Sequence, residues 1–292
     1  MVILFLQLEF CSLDDIIPFN KHMDPFQVFL IVVAVIILGY FSILFCGSLY
    51  VLIFRKPLCT YWPLFMKKIK LSQRNILEQE FSFYQKLSFK QQQIFEHRLA
   101  CFMSKYKFIG NGGFVVTDQC RVLIAATFVM LTFGMRHYLI DVFDKIIIYP
   151  QPYFSTITQE YHKGEFNPGM KLLVFSWKNF QEGFSNENDN LNLGLHEFSH
   201  SLYFHGLKNR DQSSVVFADA YKKMQEYLTE TGVLSRLVNS DYFRVYAYTN
   251  QVEFLAVIFE HFFETPQLFK NQFPELYNYV REMINFDETI QL

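Results

Sequence analysis

The chain is poor in charge and poor in cysteine, and each shortage removes a class of protein. Charged residues make up 18% of the 292 positions and the formal net charge is −2, so the composition offers no basic surface for a nucleic acid. The five cysteines, Cys11, Cys46, Cys59, Cys101 and Cys120, are odd in number and lack any C-x-x-C spacing. That excludes a secreted disulfide scaffold and fits a reducing compartment. There is no internal repeat, and the composition also excludes a coiled coil and a multi-span transporter. Charge is missing most completely from Phe26 through Phe54, 29 consecutive positions without Asp, Glu, Lys, Arg or His. At about 1.5 Å per residue such a helix exceeds the ~30 Å hydrocarbon core of a bilayer. One transmembrane helix over residues 26–54 is expected. A cleaved signal peptide fits less well, because the run is too long, no basic segment precedes it and no small-residue cleavage pattern follows.

What is present in excess is apolar surface: 51% of the residues are hydrophobic, with 35 Phe and 17 Tyr, enough for a large core. The flanks of the uncharged run are asymmetric. Only Lys21 precedes it, against Glu9, Asp14, Asp15 and Asp24, whereas Arg55, Lys56, Lys67, Lys68, Lys70 and Arg74 follow before the first acid, Glu78. The positive-inside rule places the C-terminal side in the cytoplasm, so a single-pass protein of the bacterial inner membrane is expected, its larger domain facing the cytoplasm. Residues after 54 carry 25 Lys and Arg against 24 Asp and Glu, which again argues against a nucleic-acid partner.

The chain divides into an N-terminal segment (1–25, with Met23 an alternative start), the span (26–54), a basic juxtamembrane linker (55–75) and a domain (76–292). In the linker, Tyr61 and Trp62 suit an interface belt and the lysines an anionic-lipid contact. Apolar residues stepping by three and four (Leu77, Phe81, Tyr84, Leu87, then Phe95, Leu99, Phe102) predict two helices broken near Ser88. Gly110-Asn111-Gly112-Gly113 reads as a turn after no obvious strand. Thr117 should cap a core helix, Cys120 through Phe133, that ends at Gly134. Lys145–Tyr149 and Leu172–Trp177 read as strands joined by a polar loop. The second is either a sheet edge able to pair with an extended peptide or an ordinary sheet member with Trp177 in the core.

His196-Glu197-Phe198-Ser199-His200 is an H-E-x-x-H motif. On a helix capped by Asn190 or Asn192 and closed at Gly206, His196 and His200 share one face. Both imidazoles can then reach one tetrahedral Zn²⁺, with Glu197 beside it to take a proton from bound water. Two histidines one turn apart are also an ordinary polar face, so a third protein ligand decides the matter. Downstream, Glu253 stands in the first turn of an apolar helix. Asn250-x-x-Glu253 has the spacing of a capping box, but the same position suits a gluzincin-type third ligand. Glu260, Glu264, His205 and His261 are weaker competitors.

The sequence resembles the zinc-dependent peptidases of the Mlc titration factor A family, themselves related to the catalytic domain of anthrax lethal factor. The resemblance covers roughly residues 80–280: Phe83-Tyr84-x-x-Leu87, Gly112-Gly113-x-x-Val116-Thr117-Asp118, Ile124-Ala125-Ala126, Gly134, Ile147-x-Tyr149-Pro150 and Ser176-Trp177. It continues through Asn192-x-x-Leu195-His196-Glu197-Phe198-x-His200, Tyr246-Ala247-x-Thr249-Asn250-x-x-Glu253-Phe254-x-Ala256-Val257 and Phe262-Phe263-Glu264-x-Pro266. It implies an α+β fold, a mostly helical zincin-like metallopeptidase domain with a small sheet, here preceded by one transmembrane helix. It also implies His196, His200 and Glu253 as zinc ligands, Glu197 as general base and Tyr246 as a phenol assisting at the transition state. Two departures stand out. Leu202-Tyr203 replaces the usual Leu-Asp, removing an acid that could orient a ligand, and Gln251 replaces a Pro before Glu253. The expected activity is membrane-anchored, zinc-dependent hydrolysis of a peptide or protein substrate. The alternative is a regulatory binding module, since the family includes proteins that bind a transcriptional regulator.

Overall fold

The computed structural model describes residues 24–57, 65–155, 159–186, 188–287, 289, 290 and 292. The expectations for Met23, Cys11, Cys59, Tyr61 and Trp62 lie outside them. The chain forms two compact units, Met1–Leu49 and Tyr50–Leu292. Helix α1 (Pro25–Phe54) supplies the described part of the first; by length and composition it can cross a membrane.

The second unit is mostly helical with a small mixed sheet. Helices α2 (Leu71–Glu80), α3 (Ser82–Gln85) and α4 (Phe89–Lys105) come first, then strand β1 (Lys107–Gly110) and helix α5 (Asp118–Leu131). Strands β2 (Lys145–Tyr149), β3 (Tyr153–Ser155), β4 (Glu160–His162), β5 (Gly164–Asn167) and β6 (Leu172–Ser176) follow. Helices α6 (Trp177–Ser185), α7 (Leu193–Lys208), α8 (Gln212–Thr229) and α9 (Val233–Asn239) lead to a 3₁₀ turn (Val245–Tyr248). Helices α10 (Gln251–Glu264), α11 (Pro266–Gln272) and α12 (Pro274–Met283) complete the order.

The main sheet runs β1-β2-β6-β5, parallel except for β5, which is antiparallel to β6. The expected strand Leu172–Trp177 is thus interior; it ends at Ser176, buried along its whole length, and Trp177 opens α6, partly buried and stacked on Phe180. The edges are β1 and β5, the latter in the segment expected to be a polar loop. A strand, β1, does precede the Gly110–Gly113 turn.

The helical pattern expected from residue 76 begins at Leu71, inside the stretch read as linker, where the Lys70 N–H donates to Gln73 Oε1 at 3.1 Å. Two of the basic residues after α1 serve the domain itself, Arg55 pairing with Asp219 at 3.3 Å and Arg74 with buried Glu96 at 2.7 Å. Thr117 caps α5 by accepting from the Cys120 N–H, as its position foretold.

Gly206 does not end α7. The helix continues to Lys208, and a Cβ at Gly206 would lie 2.3 Å from Phe217 Cδ1, so the glycine permits close packing of α7 on α8. Between these helices Asp211 accepts from the Ser213 and Ser214 N–H groups at 3.0 and 3.1 Å and lies 3.2 Å from His205 Nε2. Burial alone would raise the Asp211 pKa, but hydrogen bonds from His205 and Ser214 hold it well below the usual carboxylate range. The ionised form is therefore stabilised by folding. That contribution is complete above the unfolded-state pKa of about 4 and lost as pH falls through the depressed folded-state value. Asp211→Asn should keep the cap but weaken the charge-assisted bonds from His205 and Ser214, at a cost of about 1.5 kcal/mol at pH 7, a difference that shrinks below about pH 4; urea unfolding at both pH values checks it.

Candidate metal centre

Helix α7 packs its apolar residues into the core and turns His196 and His200 toward Glu253. Leu195, Phe198 and Leu202 are fully buried. The Phe198 ring meets Phe102, Phe128, Phe143 and Phe175 at centroid distances of 6.2, 5.0, 6.2 and 5.4 Å. This aromatic cluster fixes the rotation of α7, since residues three and four apart share a face. Asn192 sets its start, its side chain accepting from the Leu195 N–H.

Helix α10 packs against α7, and its cap resolves the two readings of Glu253. The Asn250 side chain accepts from the Val252 and Glu253 N–H groups. The Glu253 carboxylate instead turns to the histidines, with Oε2 2.9 Å from His196 Nε2 and 3.6 Å from His200 Nε2. One ligand atom from each of His196, His200 and Glu253 falls within 4.8 Å of the other two. Glu253 Oε2 is buried yet makes no hydrogen bond of acceptable geometry. Two imidazoles and a carboxylate with an unsatisfied oxygen fit a divalent cation of zinc type.

Glu197 lies beside this cluster, against the sheet edge. Its carboxylate accepts from the Phe166 backbone N–H of β5. A Cβ at Gly164 would come within 2.8 Å of both Glu197 Cγ and Oε1. Gly164→Ala is expected to destabilise the fold by about 1–3 kcal/mol, read from the urea midpoint. Burial, opposed by His196, raises the Glu197 pKa to about 7.

Tyr246 stands in the 3₁₀ turn, half-exposed, its ring 6.0 Å from that of His196. Its hydroxyl donates to Glu253, and burial together with that carboxylate raises its pKa to about 12. Burial lowers the pKa of His196, but the carboxylates of Glu253 and Glu260 outweigh it and raise it to about 10. For His200, burial and then the neighbouring His196 push the value down to about 4.

The competing third-ligand candidates go elsewhere. His205 pairs with Asp211. His261 packs among Tyr242, Phe243 and Phe269. Glu264, on the last turn of α10, has its pKa raised to about 7 by burial. Glu260 lies 3.4 Å from His196 Nδ1, the ring edge opposite Glu253. Arg244, which the sequence did not single out, reaches Glu260 Oε2 at 2.6 Å and donates to the Asn190 carbonyl at 2.6 Å.

With this geometry in view, the comparison with known proteins is decisive at the family level. The glucose-regulated metallo-peptidase M90 family matches residues 62–284. The chain belongs to that family. Among its relatives, the uncharacterized protein slr2042 of Synechocystis sp. is 27% identical over 254 residues, covering 79% of this chain and 85% of the relative. Mlc titration factor A of Yersinia pestis is 22% identical over 201 residues, covering 61% of this chain and 71% of the relative. The M90 match spans every strand, α7 and α10, so the His196, His200 and Glu253 cluster lies inside it.

Proposed function

We propose that the chain is a membrane-anchored zinc peptidase in which His196, His200 and Glu253 hold the metal, Glu197 is the general base and Tyr246 assists at the transition state. The observation that carries this reading is the convergence of the two histidines and Glu253 with Glu197 buried next to them. Bound zinc would acidify a water and polarise the scissile carbonyl. Glu197, ionisable near neutrality, takes the water proton and passes it to the leaving amine. The Tyr246 phenol, adjoining Glu253, is placed to donate to the developing oxyanion.

The substrate backbone has a template in β5. Ser176 N–H donates to the Lys163 carbonyl, and in the register Gly164↔Phe175 the alternation of an antiparallel pair turns the backbone groups of Gly164 and Phe166 away from β6. The Phe166 N–H goes to Glu197, and the Gly164 groups remain to pair with an extended peptide. Helix α1 supplies the anchor, and the basic residues after it favour a cytoplasmic domain.

Digestion of a peptide library by the full chain tests the reading. Hydrolysis should stop on chelation and return with added zinc; hydrolysis indifferent to metal removal contradicts it. A second reading, regulatory binding, draws on the name of the Yersinia relative, a titration factor for Mlc. Binding to a protein partner should survive Glu197→Gln, whereas peptidase function should not, so a pull-down with that variant separates the two.

A further inference from the structure

The two histidines are not held alike. His196 has a carboxylate at each ring nitrogen, Glu253 Oε2 at 2.9 Å from Nε2 and Glu260 Oε1 at 3.4 Å from Nδ1. Glu253 and Glu260 are seven residues apart on α10, two turns, and so face α7 together. His200 has Glu253 near Nε2, but its buried Nδ1 has no hydrogen-bond partner among the described residues.

Glu260 is 2% exposed, and a buried carboxylate needs a compensating charge. Arg244 provides it at 2.6 Å. The same guanidinium donates to the Asn190 carbonyl, two residues before the Asn192 cap of α7, and its Nη2 lies 3.5 Å from His196 Nδ1. It also lies 6.0 Å from the centroid of the Tyr246 ring, two residues on. One cation thus joins the start of α7, the body of α10 and the turn bearing Tyr246.

The geometry points to Glu260 and Arg244 as a positioning pair that orients His196 for metal binding, Glu260 fixing which ring nitrogen faces Glu253 and His200, and Arg244 holding the Glu260 carboxylate in place against the ring. The inference rests on the metallopeptidase reading and deepens it. Outer carboxylates that receive the second N–H of a ligating histidine set its tautomer, and their loss typically weakens metal binding about 10–100-fold. Because His200 lacks such a partner, the burden falls on His196.

The test is zinc affinity of the full chain by competition with a chromophoric chelator. Glu260→Gln, close in shape, should bind zinc about 10-fold more weakly and Glu260→Ala up to about 100-fold. Arg244→Gln should weaken binding in the same direction. The double variant Arg244→Gln/Glu260→Gln should lose less than the sum of the two single losses, since both side chains act at His196 Nδ1. Glu264→Gln, a neighbouring buried carboxylate of α10 not in contact with His196, should bind as wild type does. Melting of the metal-free forms establishes that each is folded, and if Glu260→Gln does not fold, Arg244→Gln carries the test. Wild-type affinity in Glu260→Gln, or an equal loss in Glu264→Gln, overturns the positioning role while leaving the peptidase reading intact. A wild-type chain that binds no zinc overturns both.

Discussion

Glu197→Gln is expected to retain its metal and to lose at least about a thousandfold in kcat, within the range that a positioned general base contributes. The amide is nearly isosteric and can still accept from the Phe166 N–H, so the contact with β5 survives. What it cannot do is accept a proton. The wild-type carboxylate suits that task because burial lifts its pKa to about 7 while His196 keeps it from rising further. Steady-state hydrolysis alongside zinc content of the same preparation separates loss of the base from loss of the site. A variant hydrolysing peptides within tenfold of wild type would remove Glu197 from the mechanism.

His200→Ala is expected to lose zinc without losing the fold. Among the described residues the His200 Nδ1 has no hydrogen-bond partner, and its ion-pair partner Glu253 lies at 3.6 Å and keeps His196, so removing the imidazole leaves the rest of the polar network in place. His196, by contrast, is tied to Glu253, Glu260 and Arg244. Four-ligand structural zinc sites bind with roughly 10–16 kcal/mol, so one ligand should be worth on the order of 3–4 kcal/mol, about a hundredfold to a thousandfold in affinity. Chelator competition measures the affinity, and melting of the metal-free protein should show a change of no more than about 5 °C. Unchanged affinity would mean that another residue completes the set.

The parts legible in the sequence were those whose signal is local and repeated. Helices α5, α7 and α10 are long apolar stretches with side-chain caps at Thr117, Asn192 and Asn250. Strands β2 and β6 are runs of β-branched and aromatic residues, and His196, Glu197 and His200 come in one motif. Other parts depend on distant neighbours. Strand β5, Gly164-Glu-Phe-Asn, has no strand-like composition of its own and exists because Leu172–Phe175 pairs with it. The Gly206 position reads as a helix end until Phe217 is seen against it.

The site divides along the same line. Glu253 had two readings of similar spacing, and they were separated only by where its carboxylate points once Asn250 makes the cap. Glu260 could be noticed as an acid on the right helix, but its partner Arg244 stands alone in the sequence. Their meeting with His196 requires α7, α10 and the 3₁₀ turn to be assembled first.

The claim at the centre of this account is that His196, His200 and Glu253 form a zinc site. Metal analysis of the purified full chain, dialysed against metal-free buffer after equimolar zinc, tests it most directly. One zinc per chain, reduced to a small fraction in His200→Ala, is the predicted result; a wild-type chain without zinc, or one whose zinc is unaffected by that substitution, would contradict it.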